Sequence, residues 1–169
     1  MKPLVTIPVG VVIERHKAAS KWIDYTWRPL AVMDGRPETA PWTLLREEGD
    51  VATFFAGMAE IDLHPGDTAS YRDNLSTAEP KLWVVLRPTG VDPPYDVARV
   101  TADGSEGESY FSAGEDIVEA VPMPDRIRDT IDAFVAQHHT EKPFFKRKRN
   151  RADPEALARR GVVDEPDKK

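Results

Sequence analysis

Residues 51–64 read VATFFAGMAEIDLH, and their last six positions, Ala59-Glu60-Ile61-Asp62-Leu63-His64, alternate apolar and polar without a break. A period of two marks a strand with one buried face and one solvated face. Pro65-Gly66-Asp67 ends the run, and Glu48-Gly49-Asp50 ahead of it reads as a hairpin turn. The same alternation recurs upstream in residues 4–15. There Val5, Ile7, Val9, Val11 and Ile13 face one way, and Thr6, Gly10 and Glu14 face the other. Pro8 has no N–H to give to a ladder, which places this part at a sheet edge or a bulge. In residues 21–33, Ile23, Tyr25 and Trp27 alternate with Asp24, Thr26 and Arg28; Pro29 interrupts, and Leu30 and Val32 resume the pattern up to an Asp34-Gly35 turn.

A proline-rich loop over residues 36–41 leads into a short apolar stretch at 42–46. Downstream, residues 68–79 are ambiguous between a helical turn and an irregular strand. Residues 82–87 (LWVVLR) read as a buried strand, 95–101 as another, 105–116 as a short helix or loop, and 117–121 as a last strand. The period then changes. Met123, Ile127, Ile131, Phe134, Val135 and His138 recur at spacings of three and four, the stripe of an amphipathic helix, with Pro122 and Pro124 before or within its first turn. About seven strands followed by one helix point to a mainly β (α+β) protein, a small antiparallel barrel or sandwich closed by a C-terminal amphipathic helix and followed by a basic tail. The expected division is a β-rich domain with its closing helix over residues 1–141 and a tail with a short helix over 142–169.

The chain has 169 residues, a net charge of −6, 40% apolar residues, 15 prolines and no cysteine. That length suits one core plus extensions. The missing cysteine excludes disulfides, zinc–thiolate sites, iron–sulfur ligation and thiol nucleophiles. The N-terminal apolar run is broken by Pro8 and carries no small-residue cleavage site, and no apolar run reaches the ~20 residues needed to cross a bilayer. The expectation is a cytoplasmic protein with no membrane role.

The tail differs in charge from the body. Phe144-Phe145 precede Lys146, Arg147, Lys148, Arg149 and Arg151, on the end of a body that is strongly acidic. Asp153-Pro154-Glu155 is a helix-start signal, Leu157 supplies a small apolar face and Gly161 a stop. A helix of about two turns does not persist alone in water, so it forms on a surface. A solvated linker, a nucleic-acid patch and a protein-docking arm all fit this run. In the docking reading Phe144, Phe145 and Leu157 are anchors and the five cations steer. The acidic body and the scarcity of interleaved aromatics weigh against nucleic acid.

Chemistry is sparse. The adjacent His138 and His139 point about 100° apart on a helix and do not form an i, i+4 ligand pair. A metal site of His64, Asp67 and His138 requires a fold chosen to suit it, so no metal and no cofactor are expected. No nucleophile elbow and no Gly-rich phosphate loop occurs. No catalytic residue is assigned. The best polar cluster of the body is Tyr71-Arg72-Asp73-Asn74, where Asp73 and Asn74 satisfy local turn donors or, with Arg72, face a carboxylate or phosphate ligand. The four tryptophans, at 22, 27, 42 and 83, each lie in an apolar-patterned strand and read as core and strand-pair residues.

Several stretches together carry a family likeness: VGVVIERHKAASKWIDYTWRPLAV, PWTLLREEG, FFAGMAEIDLHPGDTASYRDNL, LWVVLRPTG and PFFKRKRNRADPEALARRG. The chain resembles an uncharacterised bacterial family of short proteins whose genes sit beside those for molybdenum-dependent formate dehydrogenase and its maturation factors. Members are sometimes labelled automatically as a molybdopterin-guanine dinucleotide biosynthesis protein. The residues argue against that activity, since a nucleotidyltransferase of that kind needs a Gly-rich loop opening a parallel α/β domain. The resemblance implies a non-catalytic accessory or assembly factor whose partner is a molybdoenzyme subunit or maturation factor. Molybdopterin cofactor biosynthesis or binding is the alternative, and a nucleic-acid-binding regulator a weaker one.

Overall fold

The computed structural model describes residues 1–112, 114–143 and 145. Met1–His139 form one compact unit, and Thr140–Lys169 are grouped as a second. The described residues of the first unit build seven strands: β1 (Val5–Lys17), β2 (Tyr25–Asp34), β3 (Thr43–Glu48), β4 (Val51–Leu63), β5 (Lys81–Pro88), β6 (Tyr95–Thr101) and β7 (Ile117–Pro122). Three α-helices accompany them, α1 (Thr68–Leu75), α2 (Gly104–Ser109) and α3 (Asp125–His138). The strands form two antiparallel sheets, ordered β2-β1-β4-β3 and β6-β5-β7. β4 lies beside β6 and β2 beside β7, yet the hydrogen-bonded ladders stay within the two sheets. Of the two architectures expected, the sandwich is the one formed. No helix among the described residues is long and apolar enough to cross a membrane.

Alternation sets the layers. Val9, Val11 and Ile13 of β1 are fully buried, and across the ladder Ile7 pairs with Ile61 and Val5 with Leu63. Leu82, Val84 and Leu86 of β5 meet them from the other sheet in the same apolar cluster. Pro8 is reconciled with a central strand by register. β2 pairs with β1 only from Val9 onward, so at Pro8 the strand has β4 as its single neighbour. The second strand is shorter than its pattern. Lys21, Trp22, Ile23 and Asp24 belong to the exposed connection, where the Ala18 N–H donates to the Asp24 carbonyl at 2.9 Å.

The ambiguous stretch after β4 is a helix because it has somewhere to pack. Thr68, Tyr71 and Asn74 recur every third residue and are the buried face of α1. Tyr71 meets Phe134 of α3 at 6.2 Å between ring centroids. Ile127, Ile131 and Phe134 carry α3 into the core, so α1 and α3 close the end where β4 finishes and β5 begins. The residue 105–116 segment resolves into α2 and a following 3-10 turn. The Asp103 carboxylate caps α2 by accepting from the Ser105 and Glu106 N–H groups.

Two glycines allow close approaches on the outer faces. A Cβ on Gly10 would lie 2.7 Å from the Phe55 ring and 3.3 Å from Pro37, which is how the proline-rich loop seats on the four-stranded sheet. A Cβ on Gly107 would overlap the Trp83 ring. Gly107→Ala therefore gains roughly 1 kcal/mol of helix propensity but overpacks α2 against Trp83. The expected net loss is about 1–2 kcal/mol, read as a lower urea midpoint with an unchanged slope.

Candidate functional site

At the end of the core away from α1 and α3, the inward row of β1 continues past Ile13 to Arg15 and Lys17. The ladder sets Arg15 opposite Trp27 and Ala52, and Lys17 opposite Tyr25. Cross-strand partners share a face, so Arg15, Lys17, Tyr25, Trp27 and Phe54 all project from the inner side of the sheet. Here β5 and β6 have already turned, and their connecting loop over residues 89–94 forms the opposite wall. The result is an open trough of about 600 Å³ between the sheets, lined by Trp27, Trp42, Phe54, Pro93 and Pro94 with Arg15 and Tyr25.

The rings pack as a continuous aromatic wall. Trp27 lies 5.7 Å from Trp42, 5.8 Å from Phe54, 6.2 Å from Tyr95 and 6.3 Å from Tyr25. The Arg15 guanidinium sits on this wall, its central carbon 4.2 Å from the Tyr25 ring centroid, 5.1 Å from Phe54 and 5.7 Å from Trp27. Such contacts hold a cation at about 0.5–2 kcal/mol. Trp42 takes a φ of 65° to bring its ring here, a left-handed conformation that costs a bulky residue roughly 1–2 kcal/mol. A strained backbone beside a solvent-open trough marks the trough as a candidate site.

The reading of the tryptophans as core and strand-pair residues holds for Trp27 and Trp42, which pack against the core, and for Trp83, paired with Thr101, but not for Trp22. Trp22 is 93% exposed at the tip of the β1–β2 connection, and Trp27 and Trp42 are half-buried in the trough. Trp83 packs under α2. Pattern shows which way an indole points but not whether a second layer covers it. A cation on the inward phase of β1 was the available sign that the covering layer ends.

The polar cluster of α1 does not converge on one point. Arg72 Nη1 lies 2.9 Å from His139 Nε2, and His139 Nδ1 lies 3.0 Å from the Thr68 hydroxyl, a chain tying α1 to the end of α3. Asn74 donates to the Lys81 and Ala102 carbonyls at 2.8 and 3.0 Å and accepts from the Lys81 N–H at 3.0 Å. Its amide thus stitches β5 to the segment after β6, a long-range tie in place of the local turn donors expected of it. Asp73 lines a shallow depression beside Asn74, Trp83 and Glu108. Of the tail residues, Phe144, Lys146, Arg147, Lys148, Arg149, Arg151 and Leu157, and the short helix around them, lie outside the described residues; Phe145 is described and exposed.

The groups with displaced pKa values sit elsewhere and have structural causes. Burial pushes the Tyr71 phenol up to about 12, with Asp67, Asp103 and Glu106 adding to it and the His64 N–H opposing it. Burial pushes the Arg99 guanidinium down, but its bonds to Glu106 (2.8 Å) and Asp62 (3.2 Å) outweigh that and hold it up. The Asp116 carboxyl is held below its usual range by the hydrogen bonds from Arg87. Displaced values flag acid–base sites when they gather in a cleft; these tie strands and loops together. Glu14 likewise holds His16 and Arg28 on the outer face. Among the described residues no three His, Asp or Glu are grouped to hold a metal ion.

A family described as a protein of unknown function (DUF3305) matches residues 8–149. The chain belongs to that family. No curated protein and no solved structure matches it.

Tyr71 gives the closed end an alkaline signature. Its folded-state pKa is raised from 10.0 to about 12, so its contribution to stability is complete below pH 10 and is lost as the pH climbs towards 12. Tyr71→Phe should cost about 0.5–1.5 kcal/mol at neutral pH and flatten the loss between pH 10 and 12 relative to wild type. Denaturant melts across that range check this, and an unchanged alkaline slope in the variant contradicts it.

Proposed function

We propose that this chain is a cytoplasmic accessory protein that works by binding a partner protein, and that its client is a molybdenum-enzyme subunit or maturation factor, with formate dehydrogenase first among them. The observation that carries the binding role is the aromatic wall with Arg15 on it. An inner sheet face at the margin of the second layer would ordinarily turn polar, whereas this one presents half-buried Trp27, Trp42 and Phe54, with Tyr25, in a solvent-open trough. Aromatic and arginine side chains in partly desolvated pockets are the groups that dominate protein interfaces. The choice of client rests on the family resemblance of the sequence stretches quoted above, and the cationic run at residues 146–151 would steer an acidic partner.

Affinity capture with the tagged full chain from cells grown on formate tests this reading. It predicts a molybdoenzyme subunit or maturation factor enriched about tenfold or more over an untagged control, the margin that 1.4 kcal/mol of specific binding gives. Recovery of neither contradicts it. Tight binding of the pyranopterin dinucleotide by the purified chain, measured by calorimetry, would also contradict it in favour of a cofactor carrier.

A further inference from the structure

The trough does not end at its aromatic wall. A second depression of about 220 Å³ shares Arg15 and Tyr25 with it and runs on past Lys17, Glu47 and Asp50. Together they form one elongated channel with an apolar lobe and a polar lobe, and Arg15 at the junction. Its margin is β3, whose outer edge has no strand partner among the described residues. Leu44 on that strand stands opposite Phe54, on the trough side, and is 47% exposed.

Arg15 supplies the charge logic. Its guanidinium is half-buried on three rings, and among the described residues no carboxylate lies within ion-pair distance of it. A guanidinium so placed offers a planar fork that fits a carboxylate with two parallel hydrogen bonds. Glu47, Asp50 and Asp92 stand around it and repel a polyanion, which disfavours a nucleic-acid strand. An elongated channel beside a free sheet edge suits an extended chain better than a compact ligand, because the edge offers main-chain donors and acceptors in register.

We propose that this channel docks an extended segment of the partner protein in which an Asp or Glu adjoins proline or large apolar residues. The carboxylate is held by Arg15, the apolar side chains lie on Trp27, Trp42 and Phe54, and the main chain runs along β3. This rests on the reading that the protein works by contact and gives that contact a place and a chemistry.

Fluorescence anisotropy with the full chain tests it, using three labelled probes. They are a short peptide of alternating leucine, proline and aspartate, its counterpart with asparagine for aspartate, and an oligothymidylate of matched length. The acidic peptide should bind about tenfold more tightly than the asparagine peptide. Arg15→Gln should erase that difference, the signature of a direct pair in a double-mutant cycle. Trp27→Ala should weaken both peptides; Arg15→Gln, at a solvent-open position, keeps the test alive if Trp27→Ala fails to fold. Failure of both peptides to bind, an acidic preference that survives Arg15→Gln, or equal binding of oligothymidylate overturns the proposal. Capture from formate-grown cells with Arg15→Gln separates it from the broader function. A client held by wild type and lost by the variant supports the channel, and a client held equally by both overturns the channel while leaving the accessory role standing. If wild type captures no client, the accessory role falls and the peptide cycle alone decides the channel.

Discussion

The constraint on which the rest depends is a difference in strand length between the two layers. β1 and β4 run for thirteen residues each, while β5, the central strand facing them, runs for eight. At about 3.3 Å per residue the long pair outreaches the short one by roughly 15 Å. Where both layers are present, the inward row of β1 is Val9, Val11 and Ile13, each fully buried. Where the second layer stops, the same row continues as Arg15 and Lys17. An unpaired guanidinium inside the closed core would carry a desolvation penalty of several kcal/mol; at the mouth Arg15 is only half-buried and lies against aromatic rings. The switch from aliphatic to cationic in one alternating row therefore marks where the sandwich opens.

The opposite end shows what closure requires. There α1 and α3 cover the aliphatic row with Tyr71, Ile127, Ile131 and Phe134, and among the described residues His64 Nδ1 is the one buried side-chain polar atom left without a hydrogen bond. The Tyr71 hydroxyl accepts from the His64 N–H at 3.1 Å, and Asn74 serves the strands on either side of it. Arg99 joins β6 to Asp62 of β4 and Glu106 of α2, bridging the two sheets without a shared ladder. Such networks tie down one end, whereas the other is the solvent-open trough. The trough is carried mainly by strands, apart from Trp42 in the turn before β3 and the wall at residues 89–94, where the Thr89 hydroxyl donates to the Pro93 carbonyl at 2.6 Å.

Much of the fold is legible in the chain because it rests on local periodicity. The alternation over residues 59–64, the strand at Tyr95–Thr101 and the stripe of α3 all appear where their patterns put them. The segment at 68–79 was undecidable because its helix is specified by what Tyr71 and Asn74 touch rather than by its own propensity. The site is a different matter. Arg15, Trp27, Trp42 and Phe54 come from four places in the chain and meet only through the β1–β2 and β1–β4 registers and the turn at Trp42. No pattern within one strand reports the length of the strand that will face it. The reading of the tryptophans as core and strand-pair residues fails at Trp22, on the exposed connection, and could not show that Trp27 and Trp42 also border open space.

The central claim is that this protein acts through the open end of its sandwich. Its four tryptophans report on that directly, because each indole N–H gives a separate resonance and they sit in three different settings. Trp27 and Trp42 line the trough, Trp22 lies on an exposed connection, and Trp83 is pinned under α2. In a titration of the isotope-labelled full chain with its captured client, the account predicts that the Trp27 and Trp42 indole signals shift or broaden while that of Trp83 stays in place. A complex that forms with the Trp27 and Trp42 signals unmoved would contradict it.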